Sequence, residues 1–160
     1  MKTAILYASD FGTTKKCAEN LQNKLKGECD LIDLNLKEKI DYDSYDKIIL
    51  GSNIKMGRIN KYARKALKNK KINSKLQGIF IVCGYPQTAE KYFAKNFKDK
   101  YTKNVVVKEC FGGSLDLKSN STFVSVAIEQ LKAFNKEKGI RNPQVNYTKV
   151  SNFARTLNRR

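Results

Sequence analysis

Five short apolar runs, Lys2–Tyr7, Cys29–Leu34, Lys47–Ser52, Gly78–Cys83 and Asn104–Phe111, are spread along this chain, and apolar stripes of helical period follow four of them. A strand followed by an amphipathic helix returns to its sheet by a right-handed crossover, so repeated units of this kind build a parallel sheet with helices on both faces. The third run, KIILGS, is apolar through its middle, as a parallel strand covered on both sides must be. The stripes are Thr14, Cys17, Ala18, Leu21 and Leu25, then Ile59, Tyr62, Ala63, Ala66 and Leu67, then Ala89, Phe93 and Phe97, and last Val124, Ala127, Ile128, Leu131 and Phe134. A closing helix carries Val150, Phe153, Ala154 and Leu157. The expectation is an α/β fold, a doubly wound five-stranded parallel sheet. At 160 residues a single domain, 1–160, accounts for the chain, with an insert over about 112–147 before the last helix.

Composition removes several function classes. There is no histidine, so catalytic triads built on an imidazole base, His-ligated metal sites and imidazole pH switches are excluded. Cys17, Cys29, Cys83 and Cys110 are widely spaced with no C-x-x-C, so no zinc ribbon, iron–sulfur cluster or dithiol motif is written here. They are expected to be reduced and mostly buried, with a disulfide as the lesser alternative. The opening apolar run is too short for a signal-peptide core, and no stretch approaches the roughly 20 apolar residues of a membrane span. A soluble, cytoplasmic protein is expected.

The net charge of +17 is uneven: residues 1–50 hold eight basic and nine acidic side chains, and residues 51–160 hold 24 and six. Between Asp46 and Glu90 there is no carboxylate, while Lys47, Lys55, Arg58, Lys61, Arg64, Lys65, Lys68, Lys70, Lys71 and Lys75 all fall there. A plain solvated helix face is one reading; a surface that attracts acidic partners is the other.

In such a sheet, ligands bind at the carboxyl ends of the strands, near the switch in strand order. The loop after the first strand lacks both G-x-G-x-x-G and G-x-x-x-x-G-K-[ST]. It offers Ser9, Asp10, Phe11, Gly12, Thr13 and Thr14 instead, hydroxyls around a glycine where a helix begins. Amides and hydroxyls there can converge on an anion favoured by the helix's positive end. A simple N-cap built from these hydroxyls is the competing reading. The loop after the third strand runs Ser52, Asn53, Ile54, Lys55, Met56, Gly57, Arg58, placing a soft thioether beside a flexible glycine. After the fourth strand come Cys83, Gly84 and Tyr85, an aromatic next to a position that permits close backbone approach.

Ser9-x-x-Gly12-x-Thr14 directly after the first strand resembles the phosphate loop of the flavodoxin-like family, whose usual form is Ser/Thr-x-Thr-Gly-x-Thr. The resemblance implies the strand order 2-1-3-4-5 and FMN as cofactor. It also implies that Met56-Gly57 covers one face of the flavin ring and that Tyr85 stacks near its pyrimidine edge. Phe11 replaces the pattern's middle hydroxyl, and the backbone donors from Asp10 to Thr14 are left to compensate. In the family a peptide of the ring-covering loop turns so that its carbonyl meets the flavin N5 proton. The Met56–Gly57 and Gly57–Arg58 linkages are the counterparts here.

Within that family the chain is most similar to protoporphyrinogen oxidases of flavodoxin type. The likeness rests on Asn53-Ile54-Lys55-Met56-Gly57, on Asn152-Phe153-Ala154-Arg155 and on the position of the insert. It implies an FMN-dependent oxidoreductase passing electrons from a reduced, porphyrin-type substrate to quinone, with Gly57 and Arg58 tuning the flavin. Two alternatives stand beside it. One is an electron shuttle docking acidic redox proteins; the other is a cofactor-free basic scaffold binding polyanions. Peripheral contact with anionic membrane at the inner face is compatible with the charge, and no motif for specific nucleic-acid recognition is present.

Overall fold

The alternation of runs and stripes is realised in a computed structural model that describes residues 1–117 and 119–160. The strands are β1 (Lys2–Ala8), β2 (Glu28–Asp33), β3 (Lys47–Lys55), β4 (Arg58–Ile59), β5 (Leu76–Val82) and β6 (Val107–Cys110). The helices are α1 (Thr13–Gln22), α2 (Lys61–Ala66), α3 (Lys70–Lys75), α4 (Ala89–Asn96), α5 (Thr122–Glu137) and α6 (Tyr147–Asn158). The sheet runs β2-β1-β3-β5-β6, every pair parallel, and the two-residue β4 folds back antiparallel on the end of β3. With β4 set aside, this is the expected order 2-1-3-4-5.

Because strand side chains alternate between faces, the same strands feed two cores. Ala4, Leu6, Ile48, Leu50, Ile79 and Ile81 pack with Ala63, Leu67 and Ile72 on the side of α2 and α3. Ile5, Ile49, Phe80 and Val82 pack on the other side with Cys17, Leu21, Val150 and Phe153 of α1 and α6. Phe80 stacks on Phe111 at 4.8 Å between centroids, and Phe153 meets Phe111 edge-on at 5.3 Å. The Phe80 ring lies over Gly51, where a Cβ would stand 2.0 Å from it. Lys47 is buried at the start of β3 and directs its ammonium group to the Leu157 carbonyl in the last turn of α6, at 3.4 Å. A cation at a helix C-terminus is favourably placed.

The second stripe differs from expectation. Ile59 belongs to β4 and α2 covers only Lys61–Ala66, with a separate α3 beginning after Asn69. The asparagines divide the segment: Asn60 Oδ1 accepts the Tyr62 N–H and Asn69 Oδ1 accepts the Lys71 N–H, each at 2.9 Å. Two N-caps nine residues apart start two short helices in place of one. Among the described residues no helix is long and apolar enough to cross a membrane.

Candidate functional site

The register sets Ala8 beside Ser52 and Ser52 beside Ile81, so the loops after β1, β3 and β5 leave the sheet side by side at its carboxyl end. The first loop is shaped by Ser9, whose hydroxyl accepts the Gly12 N–H at 3.0 Å. Gly12 is the N-cap of α1 with φ of 93°, a left-handed conformation that glycine adopts readily, and no side chain caps the helix. The N-cap of Ser and Thr weighed from sequence is therefore not what forms. Ser9 is committed to the loop, and the first-turn amides of α1, which have no intrahelical partner, are left without a side-chain acceptor. Thr13 and Thr14 are buried, and Thr14 Oγ1 is enclosed with no hydrogen-bond partner. A Cβ placed on Gly12 would meet nothing within 4 Å. The result is an open, donor-rich turn suited to an anion.

Asp10 joins this turn to its neighbours. Its carboxylate accepts from Asn53 Nδ2 at 2.8 Å and from Asn60 Nδ2 at 2.9 Å, while Asn35 Nδ2 donates to the Ser9 carbonyl at 2.8 Å. Phe11 faces the Lys55 ammonium, 5.9 Å from the ring centroid. The first and second loops are thus brought into one unit.

The second loop is a tight hairpin, with Ile54 paired to Ile59 and Lys55 to Arg58. Met56 (φ 52°) and Gly57 (φ 72°) form its two-residue turn. Positive φ at both central positions matches the twist of paired strands, and it leaves the Met56 side chain 91% exposed. Asn96 of α4 clamps the turn: its Nδ2 donates to the Gly57 carbonyl and its Oδ1 accepts the Ile59 N–H, both at 3.1 Å. Of the two linkages considered from sequence, Gly57–Arg58 is therefore held by a side chain of the domain. Ser52 is fully buried, accepting the Asn60 N–H and donating to the Asn53 carbonyl, each at 2.9 Å. Its role is to shape the hairpin, whereas Asn53 Oδ1 is enclosed without a partner.

In the third loop the Cys83 side chain points away from the others, with Sγ 3.3 Å from Cys110 Sγ. The thiol pair polarises itself. The hydrogen bond the two thiols share holds one of them, Cys110, below the ordinary thiol value, with the Gly112 amide and the Lys149 charge adding to this, and pushes Cys83 up. All four cysteines are free. Tyr85 is 60% exposed at the turn, and its carbonyl accepts from Thr88 Oγ1 at 2.8 Å.

A cleft of about 810 Å³ opens between the segment after β2 and α2, with Leu34, Ile40 and Ile72 among its apolar walls and with Lys37, Lys61, Lys65 and Lys68 facing it together with Asp33 and Glu38. The Lys37 and Lys61 ammonium groups stand 5.7 and 5.0 Å from the Tyr62 ring centroid. Desolvation pushes the Tyr62 phenol up, but hydrogen bonding to Lys37 and the two positive charges outweigh it and bring the phenol below its ordinary value.

Asn35, Asn60 and Asn96 were not singled out from the sequence. Asn60, directly before a helical stripe, carried a readable N-cap signal; Asn35 and Asn96 carried none, because their partners are distant in the chain.

A doubly wound sheet with an uncapped helix start after its first strand and an exposed thioether turn after its third defines a small α/β protein with its candidate site at the carboxyl end of the sheet. The chain belongs to the flavodoxin-domain family, which it matches over residues 4–142. A curated relative, the flavodoxin-like domain-containing protein BilS of Clostridioides difficile, is 34% identical over 86 residues, 52% of this chain. The match spans about half, 48%, of that relative's length. Among solved structures, a flavoprotein in complex with FMN from Lactobacillus acidophilus aligns with a TM-score of 0.52 and 21% identity, over 68% of this chain and 92% of that one. Flavodoxin bound to flavin mononucleotide from Fusobacterium nucleatum aligns with a TM-score of 0.54 and 13% identity, over 99% and 97%. At these identities the two structures speak to the fold.

Proposed function

We propose that this chain binds FMN and serves as an electron carrier for acidic redox partners. The observation that carries the cofactor assignment is the turn after β1. The α1 amides have no cap, an enclosed Thr14 hydroxyl has no partner and open space stands at Gly12, all satisfied together by a phosphate monoester. Met56 and Tyr85, both exposed at the same end of the sheet, supply the surfaces against which a flat ring packs. Bound FMN supplies one- and two-electron chemistry; the protein supplies position and field. Lys55 and Arg58 flank the turn and favour negative charge next to it.

Carrier function is favoured over protoporphyrinogen-oxidase-like turnover by two features. The α2 cleft holds four lysines, Lys37, Lys61, Lys65 and Lys68, against two carboxylates, Asp33 and Glu38, and its Leu34–Lys37 wall is tied to the proposed phosphate turn by the Asn35 bond to Ser9, so an acidic protein can dock there near the flavin. The Asn152–Arg155 segment, part of the likeness to the oxidases, serves packing: Phe153 and Ala154 are buried in the core and Arg155 bonds to Asn152 within α6.

FMN titration followed by flavin fluorescence tests the cofactor. Thr14→Val should keep or raise the stability of the free chain, because it removes an unpaired buried hydroxyl, and should weaken FMN binding by about tenfold, the worth of one hydrogen bond to a charged group. Unchanged affinity would remove Thr14 from the site, and absence of saturable FMN binding would end the assignment. An anaerobic assay with protoporphyrinogen and a quinone acceptor separates carrier from enzyme: the carrier reading expects no turnover.

A further inference from the structure

A second cleft, of about 800 Å³, is walled by the Tyr85 turn, by the insert from Leu131 onward and by the start of α6. Its construction is unlike that of the two cores. Of the sixteen residues of α5 the one buried is Asn135, whose amide donates to Asn142 Oδ1 at 2.9 Å. A polar strut thus closes the insert on itself, while Leu131 and Phe134 remain exposed on the cleft wall. Ile140 and Tyr147, which line the same cleft, are likewise about half exposed.

The outer wall is seated on the sheet by backbone. Gly112 and Val145 form an antiparallel bridge, and the Asn146 N–H donates to the Phe111 carbonyl at 2.8 Å. The approach is so close that a Cβ on Gly112 would stand 2.3 Å from the Gln144 carbonyl oxygen. The apolar walls are therefore held apart by fixed polar contacts, leaving a space in the range of small-molecule sites, about 300–1,000 Å³.

The charge in this space is of one sign. Among the described residues Arg141 is the one charged residue in the lining, and its guanidinium donates to the neutral Gln144 Oε1 at 3.2 Å. We propose that this cleft is a binding site, separate from that for FMN, for a flat aromatic molecule carrying one anionic group, its rings between Tyr85, Phe134 and Tyr147 and its anion on Arg141. The site goes beyond the carrier reading and does not need it: Tyr85 is the one side chain assigned to both sites, and the cleft exists in the chain without FMN. Its nearness to the Tyr85 face makes the bound molecule a candidate electron donor or acceptor.

The test is fluorescence titration of the full chain with 8-anilinonaphthalene-1-sulfonate and with its uncharged analogue N-phenyl-1-naphthylamine, with and without FMN. Saturable binding of one dye per chain is expected, retained when FMN is present. Phe134→Asp should weaken both dyes by about tenfold or more, whereas Arg141→Glu should weaken the anionic dye alone by about tenfold. Phe123→Asp, at the start of α5 and outside the cleft lining, should change neither, and circular dichroism checks that each variant folds. The proposal is overturned by absence of saturation, by equal losses in the Phe134 and Phe123 variants, or by displacement of the dye on addition of FMN. Failure of FMN to bind, with dye binding intact, sinks the carrier reading and leaves this site standing.

Discussion

Met56 occupies a left-handed backbone position that costs a residue with a Cβ about 1–2 kcal/mol, and its side chain makes no use of the core. Asn-Gly is the favoured pair at such a turn. Met56→Asn should therefore stabilise the free chain by about 1 kcal/mol in urea denaturation while weakening FMN binding, since the thioether surface is lost. Gly51→Ala should act in the opposite sense, because the new methyl group would enter the Phe80 ring and neither strand can shift without disturbing its neighbours. A loss of about 1–3 kcal/mol, read as a lower urea midpoint, is expected. At this scale the first loop was legible because Ser9, Gly12 and Thr14 are adjacent in the chain and their types speak for themselves. For Ser52 the sequence showed a hydroxyl at a strand end, and only the return of Asn60 over it shows that hydroxyl bonded within the hairpin. Asn96, which grips Gly57 and Ile59 from 39 and 37 positions away, left no local mark.

β2 is the edge strand of the sheet, and charge helps to hold it. The Lys2 ammonium bridges Glu28 at 2.9 Å and Asp30 at 3.0 Å, and the Tyr45 hydroxyl donates to Asp30 at 2.8 Å. Tyr45 and Lys2 together hold the Asp30 carboxyl below its ordinary value of 3.8. A carboxylate with a lowered folded-state value adds stability that is complete above the unfolded value and fades as pH falls below it. Between pH 6 and pH 3 the native chain should thus lose more stability than Asp30→Asn, measured as the change in urea midpoint; equal losses would remove Asp30 from the acid response. Element existence was largely legible, since each apolar run and stripe has a counterpart. The β4 hairpin and the divided α2 and α3 were not, because a stripe of apolar spacing says nothing about which asparagine will end it. Ile59 fits a helix by period and joins a strand by pairing with Ile54.

Across the whole molecule, the basic residues of the carboxylate-free stretch divide: Lys55 and Arg58 flank the Met56 turn and Lys61, Lys65 and Lys68 line the α2 cleft, whereas Lys70, Lys71 and Lys75 of α3 lie where the chain enters β5, with Lys71 paired to Asp43. The first group sets a positive field beside the turn. If that field guides acidic partners, Lys61→Glu with Lys65→Glu should slow association with an acidic redox protein. The difference should shrink as salt rises from about 0.05 M to about 0.5 M and the screening length shortens. Stopped-flow mixing measures it, and a salt-independent difference would point to lost contacts in place of steering. The same field acts on bound flavin: Arg58→Glu should move its midpoint potential to more negative values, because a nearby cation favours the reduced anion, and potentiometry reads the sign. The amino-acid sequence by itself determined the fold class, the strand order through its family resemblance, the buried strands and the hydroxyl-rich turn, since periodicity and short-range chemistry are local properties. The tertiary structure decided which hydroxyls are free, that Asn96 holds the Gly57 carbonyl, that Cys83 turns to Cys110, and that the insert leaves an apolar cleft. Each of these depends on pairings between residues remote in the chain, and such pairings exist only once the sheet has brought its strand ends together.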